Sequence, residues 1–132
     1  MLKYAIVPAL ALAAMFAASP ASAASTFPNT CSNTTFTWNA AALPVIQSYC
    51  LRANGQPNMT TLVLMGISNQ NGHLTQGTGN STFQMSCGSI QILANTPNVT
   101  LSAYCRTSSG SSDATSLSLN NIGNNNGNLV QQ

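Results

Sequence analysis

Beyond position 23, apolar residues fall in short alternating runs. Val99-Thr100-Leu101-Ser102-Ala103-Tyr104 alternates apolar with polar, and Leu62-Val63-Leu64 and residues 114–119 place leucines two apart. A period of two puts such side chains on one face of a β-strand. Two stretches, residues 68–74 and 123–129, centre on Asn71-Gly72 and Asn126-Gly127. Asn-Gly tolerates the positive φ angles of a tight hairpin turn, so each stretch predicts a hairpin. No stretch in this part has a convincing helical period. Residues 39–46 are expected to form at most a short turn of helix, ended near Pro44. Gly77-Thr78-Gly79-Asn80 reads as a joint between two units. The predicted class is all-β.

The same pattern occurs twice. Phe27-x-x-x-Cys31 recurs as Phe83-x-x-x-Cys87 at an offset of 56, and Tyr49-Cys50 recurs as Tyr104-Cys105 at an offset of 55. Thr61-Leu62-Val63-Leu64 answers to Ser116-Leu117-Ser118-Leu119. Ile67, Asn69, Asn71, Gly72 and Leu74 match Ile122, Asn124, Asn126, Gly127 and Leu129, each offset by 55. So many features in one order at a nearly constant offset mark an internal duplication. The units run roughly over residues 27–79 and 80–132.

The first 23 residues change the compartment. Lys3 supplies a positive start, residues 5–18 are apolar and uncharged, and Ala21-Ser22-Ala23 has the small-x-small form of a cleavage site. Residues 1–23 therefore read as a secretory signal peptide, too short in its apolar run for a membrane span of about 20 residues. No membrane insertion is expected. The remaining residues 24–132 are expected to form one domain, secreted to the extracellular space or the periplasm.

Charge then narrows the partners. From Ala24 onward the charged residues are Arg52, Arg106 and Asp113, while 52 of 109 residues are Asn, Thr, Ser or Gln. Without clustered Lys and Arg, no nucleic-acid partner is expected. Such a surface favours neutral ligands rich in hydroxyls or amides. Catalysis lacks its parts: this segment has one side-chain carboxylate, one histidine (His73) and no lysine, too few for an acid–base pair or a nucleophile triad. No metal site or cofactor is expected, since there is no CxxC pair beside that single histidine.

Four cysteines behind a secretory leader imply disulfides. Three pairings are open by count. The duplication favours one bond per unit, Cys31–Cys50 and Cys87–Cys105, enclosing separations of 19 and 18 residues.

The ordered set is a Cys, an alternating strand into a second Cys, Asn-Gly or Ser-Gly, a Leu-x-Leu strand, then Asn-x-Asn-Gly-x-Leu. Taken twice over, it resembles the cyanovirin-N homology (CVNH) family, whose members are sugar-binding lectins. The resemblance covers nearly all of residues 24–132, with residues 37–44 as an insertion. It implies a pseudo-symmetric fold of two intertwined repeats. Each lobe would be a three-stranded sheet plus a β-hairpin, with the hairpins exchanged between repeats and the disulfides kept within them. It further implies a non-enzymatic lectin for α(1→2)-linked mannose on mannose-rich oligosaccharides or glycoproteins, with one site per lobe. The shared elements make either a monomer or a strand-exchanged dimer compatible with the fold.

Carried over residue by residue, the resemblance places a first site on Asn69, Asn71, Ser81, Thr82, Arg106 and Thr107. A second would use Asn29, Thr30, Asn124, Asn125, Asn126 and Gly127, with Thr26 and the segment after Cys50. Leu51 and Ala53 stand there where family members carry polar or charged side chains, and Asn71 and Asn126 stand where they often carry Asp. These departures imply a second site that is weaker, altered in specificity or lost. Trp38 has the chemistry to stack on a sugar ring or to pack, and His73 sits just past a turn. Asn33, Asn58, Asn80 and Asn98 each begin an N-x-Ser/Thr sequon. The competing reading is a structural or protein-interaction module that keeps the scaffold without its sugar sites.

Overall fold

The computed structural model describes residues 23–95 and 97–132. The expected signal peptide lies outside the described residues, apart from Ala23. The chain forms β1 (Cys31–Trp38), β2 (Pro44–Leu51), β3 (Pro57–Val63), β4 (Met65–Gln70), β5 (His73–Asn80), β6 (Cys87–Asn95), β7 (Asn98–Arg106), β8 (Ser112–Ser118), β9 (Ile122–Asn125) and β10 (Asn128–Gln131). These make two antiparallel three-stranded sheets, β1-β2-β3 and β6-β7-β8, and two hairpins, β4-β5 and β9-β10. Short 3₁₀ turns, Phe27–Asn29 and Phe83–Met85, lead into the sheets. The all-β, duplicated architecture expected from the sequence is the one observed.

The duplication extends to irregularities. Both sheets carry a bulge just after their first cysteine, between Ser32 and Thr35 and between Gly88 and Gln91. Asn33 and Ser89 take up the extra residue at φ 54° and 50°. The register sets Cys31 opposite Cys50 and Cys87 opposite Cys105, and both expected disulfides form.

Each hairpin packs on the sheet of the other repeat. Strand β5 lies against β8, and β10 lies against β3; β4 touches the Phe83 turn, and β9 touches the Phe27 turn. Alternation along the hairpins buries Ile67 and Leu74 in one lobe and Ile122 and Leu129 in the other, in a core with Phe27 and Phe83, both at 0% exposure. Two equivalent threonines tie the exchange: Thr115 Oγ1 accepts the Leu74 N–H at 3.1 Å, and Thr60 Oγ1 accepts the Leu129 N–H at 3.1 Å. Two buried serines tie the crossover. Ser81 Oγ donates to the Leu64 carbonyl at 2.6 Å and accepts the Ile67 N–H at 3.0 Å. Ser25 does the same for Leu119 at 2.7 Å and Ile122 at 3.0 Å.

One local expectation is corrected. Residues 39–46 form no helical turn. Asn39 Oδ1 accepts the N–H groups of Ala41 at 2.9 Å and Leu43 at 3.0 Å, and Ala42 at φ 62° completes a hairpin loop into β2. Pro44 opens that strand, a position where its missing N–H is tolerated, and Val45 and Ile46 behind it are β-branched and buried. Residues 77–80, expected as the joint between the units, are themselves strand. They continue β5, where a register shift between Met65 and Ile67 and a positive φ at Gly79 bring Asn80 opposite Met65.

Replacing Ser81 with Ala leaves a backbone N–H and a carbonyl without a partner in a buried place. The variant is expected to lose about 1–3 kcal/mol of stability, measured as a lower urea midpoint with an unchanged m-value. Ser25→Ala should match it, because the two hydroxyls occupy equivalent positions.

Candidate functional site

At the tip of the β4-β5 hairpin Gln70 pairs with His73, so Asn71-Gly72 forms a two-residue turn with both φ angles positive, 50° and 90°. Asn126-Gly127 forms the equivalent turn at 49° and 90°. These are the conditions of a type I′ turn. Glycine is further required by crowding. A Cβ at Gly72 would sit 2.8 Å from Thr107 Cγ2 and 3.0 Å from an Asp113 carboxylate oxygen, and a Cβ at Gly127 would sit 2.7 Å from Arg52 Cγ. Each tip is thus pressed onto the turn that follows the second cysteine of the opposite repeat.

Side chains lock this contact in the same way twice. Asn69 Oδ1 accepts the Gly72 N–H at 2.7 Å, while its Nδ2 donates to Ser86 Oγ and to the Arg106 carbonyl, both at 2.9 Å. Asn124 accepts the Gly127 N–H at 2.7 Å and donates to Thr30 Oγ1 at 2.8 Å and the Leu51 carbonyl at 2.9 Å. Asn71 Oδ1 accepts from the N–H of Ser108 at 2.9 Å and from its hydroxyl at 3.0 Å; Asn126 Oδ1 accepts the Ala53 N–H at 2.8 Å.

The structure brings Asn69, Asn71, Arg106 and Thr107 together at one tip. Thr107 closes its turn through its N–H to the Ser111 carbonyl at 2.7 Å, with its hydroxyl on Ser109 Oγ at 2.9 Å. Arg106 keeps its backbone in the tip and its side chain exposed. Ser81 and Thr82 lie farther down the hairpin, where both bind the backbone of Ile67. Ser81 is 4% exposed with its hydroxyl fully engaged, so it fastens the fold rather than facing a ligand. Thr82 is exposed. At the other tip Asn29, Thr30, Asn125 and Asn126 are exposed, Asn124 is half-buried and Gly127 is buried. Trp38 meets the edge of Phe36 at 5.2 Å and is 48% exposed; His73 is exposed beside the Asn71-Gly72 turn.

Three residues join the tips without having been expected there, Ser108 and Asp113 at the first and Asn58 at the second, and Arg52 carries the part expected of the segment after Cys50. Arg52 Nη2 donates to Asn58 Oδ1 at 2.6 Å, and Asn58 Nδ2 donates to the Gly127 carbonyl at 2.8 Å. The offset of 55 held the signal, since it sets Thr107 on Arg52 and Asp113 on Asn58. A cavity of about 590 Å³ lies away from both tips, near the crossover between repeats, lined by Leu64, Ile67, Gln76, Leu119, Ile122 and Gln131 among others. Its glutamine amides are tied to the Met65 and Asn120 carbonyls at 2.9 and 3.1 Å, and it holds none of the expected site residues. Among the described residues no group of three His, Cys, Asp or Glu is placed to hold a metal ion.

The CVNH domain model matches residues 83–131. Among solved structures, the T. borchii CVNH protein is 26% identical, with 81% of this chain and 99% of that chain covered and a TM-score of 0.63. Microvirin, solved as a mannobiose complex, is 25% identical, with 80% and 97% covered and a TM-score of 0.59. A variant of MoCVNH3 in complex with (N-GlcNAc)4 shares the fold at 17% identity, with 85% and 100% covered and a TM-score of 0.63. No curated protein matches the chain by sequence.

Asn69→Ala removes three hydrogen bonds from the tip at once. The expected cost is about 2 kcal/mol, with amide exchange at Gly72 accelerated beyond the global change. Calorimetry and hydrogen exchange read the two effects separately.

Proposed function

We propose, from the premise that this chain belongs to the CVNH family, that it is a carbohydrate-binding lectin whose first site lies at the Asn71-Gly72 tip. The observation that carries this reading is the doubled lock between each hairpin tip and the turn after the second cysteine of the other repeat. It fixes backbone and side-chain polar groups at the surface before any ligand arrives. Sugars bind well to such surfaces, because each hydroxyl needs a placed partner and a rigid site loses little entropy on binding.

The first tip offers chemically complementary groups. Arg106 has donors in a planar fork and no hydrogen-bonded partner for its guanidinium among the described residues. The Asp113 carboxylate, resting over Gly72, is a charged acceptor for sugar hydroxyls. Ser108, Ser109 and the amide of Asn71 add neutral groups around them. The side chain of Asn69 is already committed to the turn, so its part is to hold the tip in shape. In this reading the ligand is α(1→2)-linked mannose at the ends of mannose-rich glycans; microvirin, which is similar to this chain, was solved as a mannobiose complex. No group at the tip is arranged to cleave a glycosidic bond: that chemistry uses two carboxyl groups, and the whole sequence has one. Secretion fits the two disulfides; among the described residues no helix is long and apolar enough to cross a membrane.

Titration with α(1→2)-mannobiose, followed by amide chemical shifts, tests the reading. Shifts are expected at Asn71, Gly72, Thr107 and Ser108. Arg106→Ala should weaken the affinity about tenfold, the loss of one charge-assisted hydrogen bond. A flat titration at millimolar sugar would refute the assignment.

A further inference from the structure

The two tips share a scaffold but differ in charge. The whole sequence has a single side-chain carboxylate, Asp113, and it belongs to the first tip, against Gly72. The equivalent place at the second tip holds the neutral Asn58, and the place of Thr107 holds Arg52. The second tip is therefore cationic, with no side-chain carboxylate anywhere in its lobe to neutralise it.

Arg52 is also held in place. Its N–H donates to the Gln56 carbonyl at 2.8 Å, and its carbonyl accepts the Gly55 N–H at 2.8 Å. Its aliphatic stem lies over Gly127, where a Cβ would come within 2.7 Å of Cγ. Its Nη2 is bound at 2.6 Å by Asn58, which is itself anchored to the Gly127 carbonyl. One corner of the guanidinium is fixed by a neutral acceptor, and the side chain remains exposed. An ordinary surface arginine would swing freely; this one is preorganised.

We propose that the second tip recognises an acidic sugar, with the Arg52 guanidinium gripping the carboxylate of a uronic acid residue. This rests on the lectin reading above and adds a ligand class for the other lobe. A guanidinium meets a planar carboxylate through paired N–H donors, the geometry in which arginine exceeds lysine. The exposed Asn125 and Asn126 at the same tip provide amides for ring hydroxyls. At the first tip Asp113 balances the charge of Arg106, so that tip has no net positive charge to favour the same ligand. The chain thus carries one site for neutral sugar and one for acidic sugar on one duplicated frame.

The test is amide-shift titration of the full protein with digalacturonic acid, its methyl ester, α(1→2)-mannobiose and sodium acetate at constant ionic strength. Digalacturonic acid is expected to shift Arg52, Asn58, Asn126 and Gly127. The methyl ester, and the acid on Arg52→Gln, should bind about tenfold more weakly or worse, the loss of a charge-assisted contact. Arg52→Lys should recover only part of the affinity. A dispersed spectrum with an unshifted Gly72 resonance confirms that each variant is folded. Equal binding of acid and ester, acetate shifts that match those of the diuronate, or no response at the second tip would each overturn the proposal. If mannobiose still shifts the first tip in those cases, the acidic-sugar assignment alone has failed; if no sugar shifts either tip, the lectin reading falls with it.

Discussion

Neither repeat can bury its own hairpin, and the rest of the molecule follows from that. Ile67 and Leu74 belong to the first repeat but reach the core only over β8 and the Phe83 turn of the second. Ile122 and Leu129 make the reverse journey to β3 and the Phe27 turn. Left in water, these four side chains would each forgo roughly 1.5–3 kcal/mol of burial. Exchange therefore couples the halves into one folding unit, although each disulfide closes within its own repeat. It also decides where the tips lie. Each is a seam between a hairpin from one repeat and a sheet turn from the other, so it exists only in the assembled fold.

Such a seam must be held by groups that leave the surface polar. The four tip asparagines do this. Asn69 and Asn124 turn inward and bind three backbone or hydroxyl groups each, while Asn71 and Asn126 reach across with one oxygen. An aspartate at position 71 or 126 would make the same contact with a charge; the amide makes it without one and keeps N–H groups at the tip. The turn glycines complete the lock, since any side chain there would push the seam apart.

The scaffold was legible because folding demands repeat themselves. Paired cysteines, leucines two apart and Asn-Gly turns each report a local rule, and the duplication let each reading check the other. Two of the misses came where a residue's role is set by long-range packing, and one from a local side-chain turn. Ser81 looked like a surface hydroxyl, but the crossover buries it on Leu64 and Ile67. Asn69 looked like a ligand-facing amide, but its partners lie 17 and 37 residues away. Residues 39–46 were expected to form at most a short helical turn; the turn made by the Asn39 side chain takes its place.

Duplication also explains how two tips of one frame come to differ. The asparagines, glycines and buried hydroxyls hold the seam, so substituting them disturbs both halves of the fold. Positions 52 and 107, and 58 and 113, lie beside it, with Asn58 adding one bond to the Gly127 carbonyl, and there the repeats carry different chemistry. At one tip a carboxylate rests over the turn glycine; at the other an arginine stem covers it and an amide holds the guanidinium. Both solutions fill the same space above a glycine, so packing does not choose between them. With so few charges in the chain, exchanges at such positions set the net charge of a whole tip: Arg106 and Asp113 balance at one, and Arg52 stands alone at the other. Ligand selectivity in this protein is thus separable from stability at the residues beside the lock and inseparable from it at the lock itself.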